Sequence, residues 1–357
     1  MEMLNMDMLK QPLAAYLIHK FGPAASVVNV VKFPRGSSRE TWFIEYRNAP
    51  AARIQKIVFR TDFPSGSTIP STLEQEYFMY ERLGTSAVPV AKVLWWERDP
   101  TWAARPFYVR EHIEGNWSIP HYHDLDPAYD ALRIEVSKEH VRKLALVHTV
   151  DWRGLGLDKR LPAPPNEAHA ASAYIDMVAD QLRNLRGEPI PLFVAASHWL
   201  KAQAPAAPRL SLCKGTNGLG EEVFLDSKIV AMSDWEEAAI ADPASDFAFC
   251  QNLVNDVVRD GKTLWSLSQA LDYYHSLSGI RVTPQAVDFY RKVQSFKMLM
   301  YTQSAAVGTH STPNAHIRQA WTATEVAHVG KRLMIAAMGL GPPLPSSRFL
   351  ELNRTMD

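Results

Sequence analysis

Two cysteines in 357 residues, Cys213 and Cys250, are too few for a disulfide scaffold. No Cys/His spacing typical of a zinc site accompanies them. The sequence also lacks a surplus of either charge, since 38 Lys and Arg balance 38 Asp and Glu. That argues against a nucleic-acid binder, because neutralising phosphates takes a basic excess. No run of about 18 uninterrupted apolar residues occurs, so no membrane span is expected. The first 22 residues mix acidic with apolar side chains and lack the basic flank and apolar core of a secretory leader. A protein of a reducing compartment, most simply cytoplasmic, is expected. There is no internal repeat and no low-complexity tract. What remains is an ordinary globular composition, 46% apolar and 21% charged, with length enough for one large domain or two lobes.

Residues 1–22 place apolar side chains at helical spacing and stop at Gly22-Pro23. Segments 27–33, 40–46 and 54–60 then read as strands, separated by 34–38 and by Asn48-Ala49-Pro50. A polar loop over 62–71 leads into a helix over 73–83, with Leu73, Tyr77 and Tyr80 on one stripe. Strands come next at 92–97 and 107–111. Beyond Glu114-Gly115 the pattern turns helical at 125–150, 166–186 and 190–203. A β-rich island at 210–213, 223–225 and 229–232 surrounds a glycine-rich loop, and helices resume from Asp242. The expected fold class is α+β. A small N-terminal lobe of antiparallel sheet, 1–111, precedes a large and mainly helical C-terminal lobe, 112–357.

Several ordered segments then resemble the aminoglycoside phosphotransferase superfamily, which is choline-kinase-like. The segment from Gly36 through Ser37, Ser38, Arg39, Glu40 and Thr41 to Trp42 is similar to its glycine loop. Val58-Phe59-Arg60 resembles the strand carrying the phosphate-pairing basic residue, and Glu74-Gln75-Glu76-Tyr77 the helix with its carboxylate partner. Arg105 to Val109 and Ile113 to Gly115 are similar to the hinge, and Leu146 to Trp152 to the helix before a Gly-Leu turn, here Gly156-Leu157. Ser233-Asp234-Trp235-Glu236 resembles the metal-aspartate strand, and Ala241 to Asp246 the segment after that strand. The resemblance implies a bilobal protein-kinase-like fold that phosphorylates small-molecule hydroxyls with ATP. It also implies Arg60 as a phosphate contact, Glu76 as the partner in a lobe-organising ion pair, and an acceptor pocket among the C-terminal helices.

The loop that should carry the chemistry departs from the family pattern. After the strand ending in Leu212-Cys213 the family reads HGDxxxxN, whose Asp accepts the hydroxyl proton and whose Asn holds magnesium. Here the loop runs Lys214-Gly215-Thr216-Asn217-Gly218-Leu219-Gly220-Glu221. Lys214 replaces the His and Thr216 the Asp. Glu221 falls on the Asn position by ungapped count, or Glu222 if the next strand sets the register. Arg35 stands where a first glycine is usual. A threonine hydroxyl is no proton acceptor near neutral pH, whereas Lys214 and Arg35 add cations able to bond a phosphate. Asp234, with Glu221 or Glu222, retains oxygen ligands for Mg²⁺.

Each of these residues also has a plainer reading. Lys214 stands either to grip phosphate or to pair with Asp234, and Asp234 is a metal ligand or a structural remnant. His148, at the end of an apolar helix, reads as structural, and His121 and His123 as solvated. The stripe Phe296, Leu299, Met300 and Tyr301 reads as helix core. The glycine run 215–220 is no dinucleotide fingerprint, because a strand comes after it instead of a helix.

The altered loop allows three functions. The first is a lyase that eliminates phosphate from a phosphorylated apolar alcohol, tertiary or sterol-like, to give an alkene. The departing phosphate would be stabilised by Lys214, Arg60 and Arg35, and the proton taken by the phosphate itself or by Glu237. In this the chain resembles a lyase offshoot of the superfamily in bacterial sterol breakdown, where a separate kinase supplies the substrate. That reading requires no cofactor, or Mg²⁺ alone. The second is an ATP-dependent hydroxyl kinase with a non-standard loop. The third is a non-catalytic ligand-binding pseudokinase.

Overall fold

The computed structural model describes residues 6–34, 38–63, 66–67, 69–185, 187–249, 254, 256–311 and 315–343. Helix α1 (Met6–Phe21) buries Leu9, Leu13, Tyr16 and Leu17, spaced four, three and one apart so that they share one face. That face packs on a five-stranded antiparallel sheet of β1 (Ser26–Lys32), β2 (Arg39–Arg47), β3 (Gln55–Asp62), β4 (Val93–Glu97) and β5 (Phe107–Glu111). Its spatial order is β1-β2-β3-β5-β4. Alternation along β3 decides where the site lies. Ile57 and Phe59 join the core against α1, while Val58 and Arg60 face the other way into a cleft.

Helix α2 (Leu73–Leu83) is inserted after β3 and begins with a capping motif: the Thr72 hydroxyl accepts from the Gln75 N–H at 3.1 Å. Glu76 therefore sits in its first turn, on the buried side. From β5 the chain passes Gly115, whose φ of +150° leaves an added Cβ 2.6 Å from the Phe224 carbonyl oxygen. Only glycine fits that approach. It lets Asn116 exchange two 2.7 Å backbone hydrogen bonds with Phe224, pinning the connection to the far wall of the cleft.

The remainder is mostly helical: α3 (Asp130–Thr149), α4 (Ala170–Asn184), α5 (Pro191–Lys201), α6 (Ala244–Phe249), α7 (Leu267–Ser278), α8 (Pro284–Ser311), α9 (Ile317–Trp321) and α10 (Ala327–Ala337). Between α5 and α6 come β6 (Ser211–Cys213), β7 (Glu222–Leu225), β8 (Lys228–Met232) and β9 (Ala239–Ala241), with β6 paired to β9 and β7 to β8. The fold is α+β, an N-terminal antiparallel sheet and then a mainly helical part.

Two differences from the sequence reading have local causes. The region after Asp242 is not helical throughout, because β10 (Val257–Arg259) and β11 (Lys262–Trp265) form a hairpin. Its two-residue turn, Asp260-Gly261, has φ of +50° and +72°, the left-handed pair that matches the twist of the flanking strands. The helix expected over 125–150 starts at Asp130 instead, after a 3-10 turn over Pro127–Tyr129 capped by the Asp126 carboxylate at 2.8 Å. Phe296, Leu299 and Met300 are fully buried core on α8, as their spacing predicts. Among the described residues no helix is long and apolar enough to cross a membrane.

Candidate functional site

A cleft of about 380 Å³ lies between the sheet and the β7–β8 hairpin. Val58, Ile113, Leu219 and Val223 give it apolar walls, Arg39 and Arg60 a basic side, and Thr216, Glu221, Asp234 and Glu236 an acidic one. Arg35, Gly36 and Ser37, expected in the glycine loop, lie outside the described residues, as does Cys250.

Arg60 and Glu76 are brought together. Arg60 Nη2 lies 2.7 Å from Glu76 Oε1, and its Nη1 donates to Thr41 Oγ1 at 3.0 Å. Burial alone would lower the arginine's pKa, but Glu76 and the neighbouring tyrosines hold it well above its ordinary value. A second arginine, to which the sequence reading gave no role, shares this carboxylate. Arg39 Nε is 3.6 Å from Glu76 Oε2 and 3.0 Å from Asp62, and its Nη2 donates to the Ser71 carbonyl at 3.1 Å. Register accounts for it: Thr41 pairs with Arg60 across the strands, so Arg39, two residues earlier, emerges on the same face. Period-two alternation applied to β2 would have found it.

The altered loop is held from behind. The Asp246 carboxylate accepts the backbone N–H groups of Lys214 and Gly215, both at 2.8 Å, and His148 Nε2 lies 3.0 Å from it. Burial disfavours a charged Asp246, but His148 and the two amides outweigh that and hold its pKa below the usual range. His148 Nδ1 is bonded to the Tyr274 hydroxyl at 2.8 Å, so both ring nitrogens are engaged and the residue is structural, as expected. His148, Cys213 and Asp246 lie close enough to hold a metal. Burial, however, pushes the Cys213 thiol pKa well up, and the other two ligands are already committed. Gly215, at φ +85°, passes so near Glu237 that a Cβ would sit 2.6 Å from its carbonyl oxygen.

Lys214 lies elsewhere than its expected place against phosphate. It is completely buried behind the cleft, its ammonium 3.2 Å from Glu222 Oε1 and bonded to the Thr216 carbonyl. Its ion-pair partner is Glu222, where the sequence left phosphate and Asp234 open. Burial opposes its charge, but Glu222, Asp234 and Glu221 raise its pKa above the ordinary value. Burial also pushes Glu222 up to about 8, against the pull of that ammonium. The two glutamates thereby take different places: Glu222 turns to Lys214, and Glu221 lines the cleft together with Asp234. Burial first, and then Asp234, raises the Glu221 pKa well above its ordinary value, and Glu236 is shifted for the same two reasons. Asp234 itself has a left-handed backbone, φ +63°, with its N–H 3.3 Å from the Tyr80 hydroxyl.

Thr216 does line the cleft, and its hydroxyl donates to Glu237 Oε2 at 3.1 Å. Glu237 Oε1 in turn pairs with Lys297 Nζ at 3.0 Å, and Lys297 donates to the Tyr174 hydroxyl at 2.9 Å. Burial works against the lysine's charge, but Glu237 and Tyr174 hold its pKa above its ordinary value. Lys297 on α8 and Tyr174 on α4 were absent from the sequence reading. A lone lysine inside an otherwise apolar helical stripe was the available signal, since lysine is rarely fully buried unless paired.

A sequence model of the phosphotransferase enzyme family matches residues 29–280. Acyl-CoA dehydrogenase family member 11 of Mus musculus is 28% identical over 249 residues, which are 66% of this chain and 30% of the mouse protein. The Homo sapiens protein of that name is 24% identical over 241 residues, 62% of this chain and 28% of its own. The chain thus spans less than a third of the length of the curated relatives it matches. A crystal structure from Ralstonia eutropha JMP134, provisionally described as an aminoglycoside phosphotransferase, aligns over 91% of this chain and 98% of its own. Its TM-score is 0.63 at 22% identity. A thermostable mutant of aminoglycoside phosphotransferase APH(4)-Ia, in ternary complex with ADP and hygromycin B, aligns over 93% and 99%, with a TM-score of 0.55 at 14% identity. At these identities the structural likenesses establish the kinase-like fold.

Proposed function

We propose that this chain, which belongs to the phosphotransferase enzyme family, binds the phosphate ester of an apolar alcohol in the cleft and expels phosphate by breaking the carbon–oxygen bond. The observation that carries the reading is the loop itself. Thr216 stands where relatives keep a proton-accepting aspartate, and it is bonded to Glu237, while Glu222 is tied to an internal ammonium, Lys214.

Arg60 faces the cleft and presents a permanent cation to a phosphate; Arg39 beside it adds a second. In the elimination the C–O electron pair leaves with the phosphate oxygen. A neighbouring carbon loses a proton, and its C–H pair becomes the second bond of an alkene. The proton goes to the departing phosphate or to the Glu237 carboxylate, so the products are an alkene and inorganic phosphate. Charge developing on the leaving oxygen is what cations in a confined cleft stabilise. The apolar walls at Val58, Ile113, Leu219 and Val223 suit a non-polar alcohol. A separate kinase would supply the ester.

A second reading, phosphoryl transfer from ATP, is favoured by one observation. Glu221 and Asp234 line the cleft side by side, and the charge of Asp234 helps to raise the Glu221 pKa, which fits two oxygen ligands for Mg²⁺. Bound there, Mg²⁺ would neutralise phosphate oxygens. In that case Glu237, reached through Thr216, would accept the hydroxyl proton.

Incubation with a phosphorylated tertiary alcohol in ¹⁸O-water, without nucleotide, separates these outcomes. Alkene with unlabelled phosphate is expected. Phosphate carrying ¹⁸O would mean P–O hydrolysis, and ATP-dependent esterification of the free alcohol would install the second reading.

A further inference from the structure

Helix α9 lies beyond residues 29–280, the part that matches the family, yet it reaches the cleft: Arg318 is one of its lining residues. The segment is fastened on both sides of that arginine. The His316 ring lies 5.0 Å from the Phe63 ring, and His316 Nδ1 accepts the Arg318 N–H at 3.1 Å, capping the helix. Gln319, fully buried, donates Nε2 to the Gly66 carbonyl at 3.0 Å. Phe63 and Gly66 belong to the loop joining β3, which carries Arg60, to α2, which carries Glu76. The chain therefore returns from the far end of α8 to clasp the loop next to the Arg60–Glu76 pair.

Charge accounting separates Arg318 from the other arginines there. Arg39 and Arg60 are already paired with Asp62 and Glu76. Arg318 has no ion-pair partner among the described residues. A half-buried cation aimed into a cleft without its own counter-charge is arranged for an anion from outside. It is held by a buried glutamine and a ring contact, so little is left to order when the anion arrives.

We propose that Arg318 is a further phosphate contact, delivered by the C-terminal segment, which bonds anionic oxygens of the ester bound at Arg60. The anion's identity rests on the phosphate-ester reading; the contact itself rests on the geometry of α9.

The test is calorimetric titration of the full chain with inorganic phosphate, in wild type and in Arg318→Gln, Arg318→Lys and Arg60→Gln. Arg318→Gln is expected to weaken phosphate binding roughly tenfold, about 1.4 kcal/mol. Arg318→Lys should recover part of the loss, because the charge remains while the two-pronged geometry is gone. Wild-type-like binding by Arg318→Gln, with loss in Arg60→Gln, overturns the Arg318 contact and leaves the phosphate site standing. Unchanged binding in both variants, or none in the wild type, overturns the phosphate reading of the cleft. Arg318→Lys also guards against misfolding: if it binds as weakly as Arg318→Gln and melts lower, the arginine is a structural strut and the proposal fails.

Discussion

Thr216 donates its hydroxyl to Glu237 at 3.1 Å, so a carboxylate stands one hydrogen bond from the place where a phosphotransferase keeps its aspartate. Glu237 lies in the turn before β9, and a buried lysine holds it. Lys297 fixes Glu237 by an ion pair at 3.0 Å and is itself oriented by Tyr174. On the proposed reading, Glu237 is the proton acceptor nearest to Thr216.

Glu237→Gln removes that acceptor and is expected to lower turnover by roughly a hundredfold or more, the usual worth of a positioned acid or base. Thr216→Val, which removes only the connecting hydroxyl, should cost about tenfold. Lys297→Met should act through Glu237: without the ammonium at 3.0 Å the carboxylate is no longer held beside Thr216, so turnover should fall while Thr216 is unchanged. If Glu237→Gln leaves turnover intact, the departing phosphate takes the proton itself.

How much of this was legible in the sequence depends on the range of the interaction. Helix α2 could be read locally from its pattern and its Thr-Leu-Glu-Gln cap, whereas the pairing of Arg60 with Glu76 was implied by the family resemblance. The Asp260-Gly261 hairpin was equally local and was passed over under the helical pattern around it. The destination of Lys214 was not readable. Its charge is visible in the sequence, but whether it reaches the cleft or turns inward depends on Glu222, brought opposite only when β7 pairs with β8. Lys297 and Arg318 are more remote still. Their roles depend on α8 folding back on Tyr174, 123 residues away, and on α9 folding back on Gly66, 253 residues from Gln319.

Glu76→Ala should destabilise the protein strongly, by about 3–5 kcal/mol, because it leaves the largely buried Arg60 without its carboxylate and Arg39 with Asp62 alone. Arg60→Ala should cost less, since that side chain is 15% exposed and Arg39 still neutralises the carboxylate. Urea denaturation of the two single variants and the double variant gives the coupling between them. A coupling near zero would mean that Arg39 alone accounts for the burial of Glu76.

Stability should fall as pH rises from about 4.5 to about 8. Glu222 is pushed up to about 8 and Asp242 to about 6 by burial, so the folded state holds protons that the unfolded chain releases earlier. Their contribution is fully present below the unfolded pKa values and is lost as pH passes through the folded ones. The slope is at most about 1.4 kcal/mol per pH unit for each group. Asp246 runs the other way: its pKa is depressed, so its contribution disappears only on acidification below the ordinary carboxylate range. Denaturant midpoints at pH 5, 6, 7 and 8.5 check this, and Asp242→Asn should flatten the lower part of the curve. A midpoint rising steadily from pH 5 to 8.5 would contradict the protonated carboxylates.

Lys214 offers the sharpest contrast between a charge that binds and a charge that holds the loop together. Were it a phosphate contact, Lys214→Met would weaken phosphate binding and leave the fold intact. Its ammonium is instead enclosed with Glu222 at 3.2 Å, so above about pH 8, where Glu222 is ionised, the single substitution should leave a buried carboxylate uncompensated and cost about 3–5 kcal/mol. The double variant Lys214→Met, Glu222→Gln removes both charges and should regain most of that stability, with phosphate affinity close to that of the wild type. Thermal melts and phosphate titrations on the same three proteins distinguish the cases. Recovery of stability without recovery of phosphate binding would return Lys214 to the cleft as a ligand for the ester.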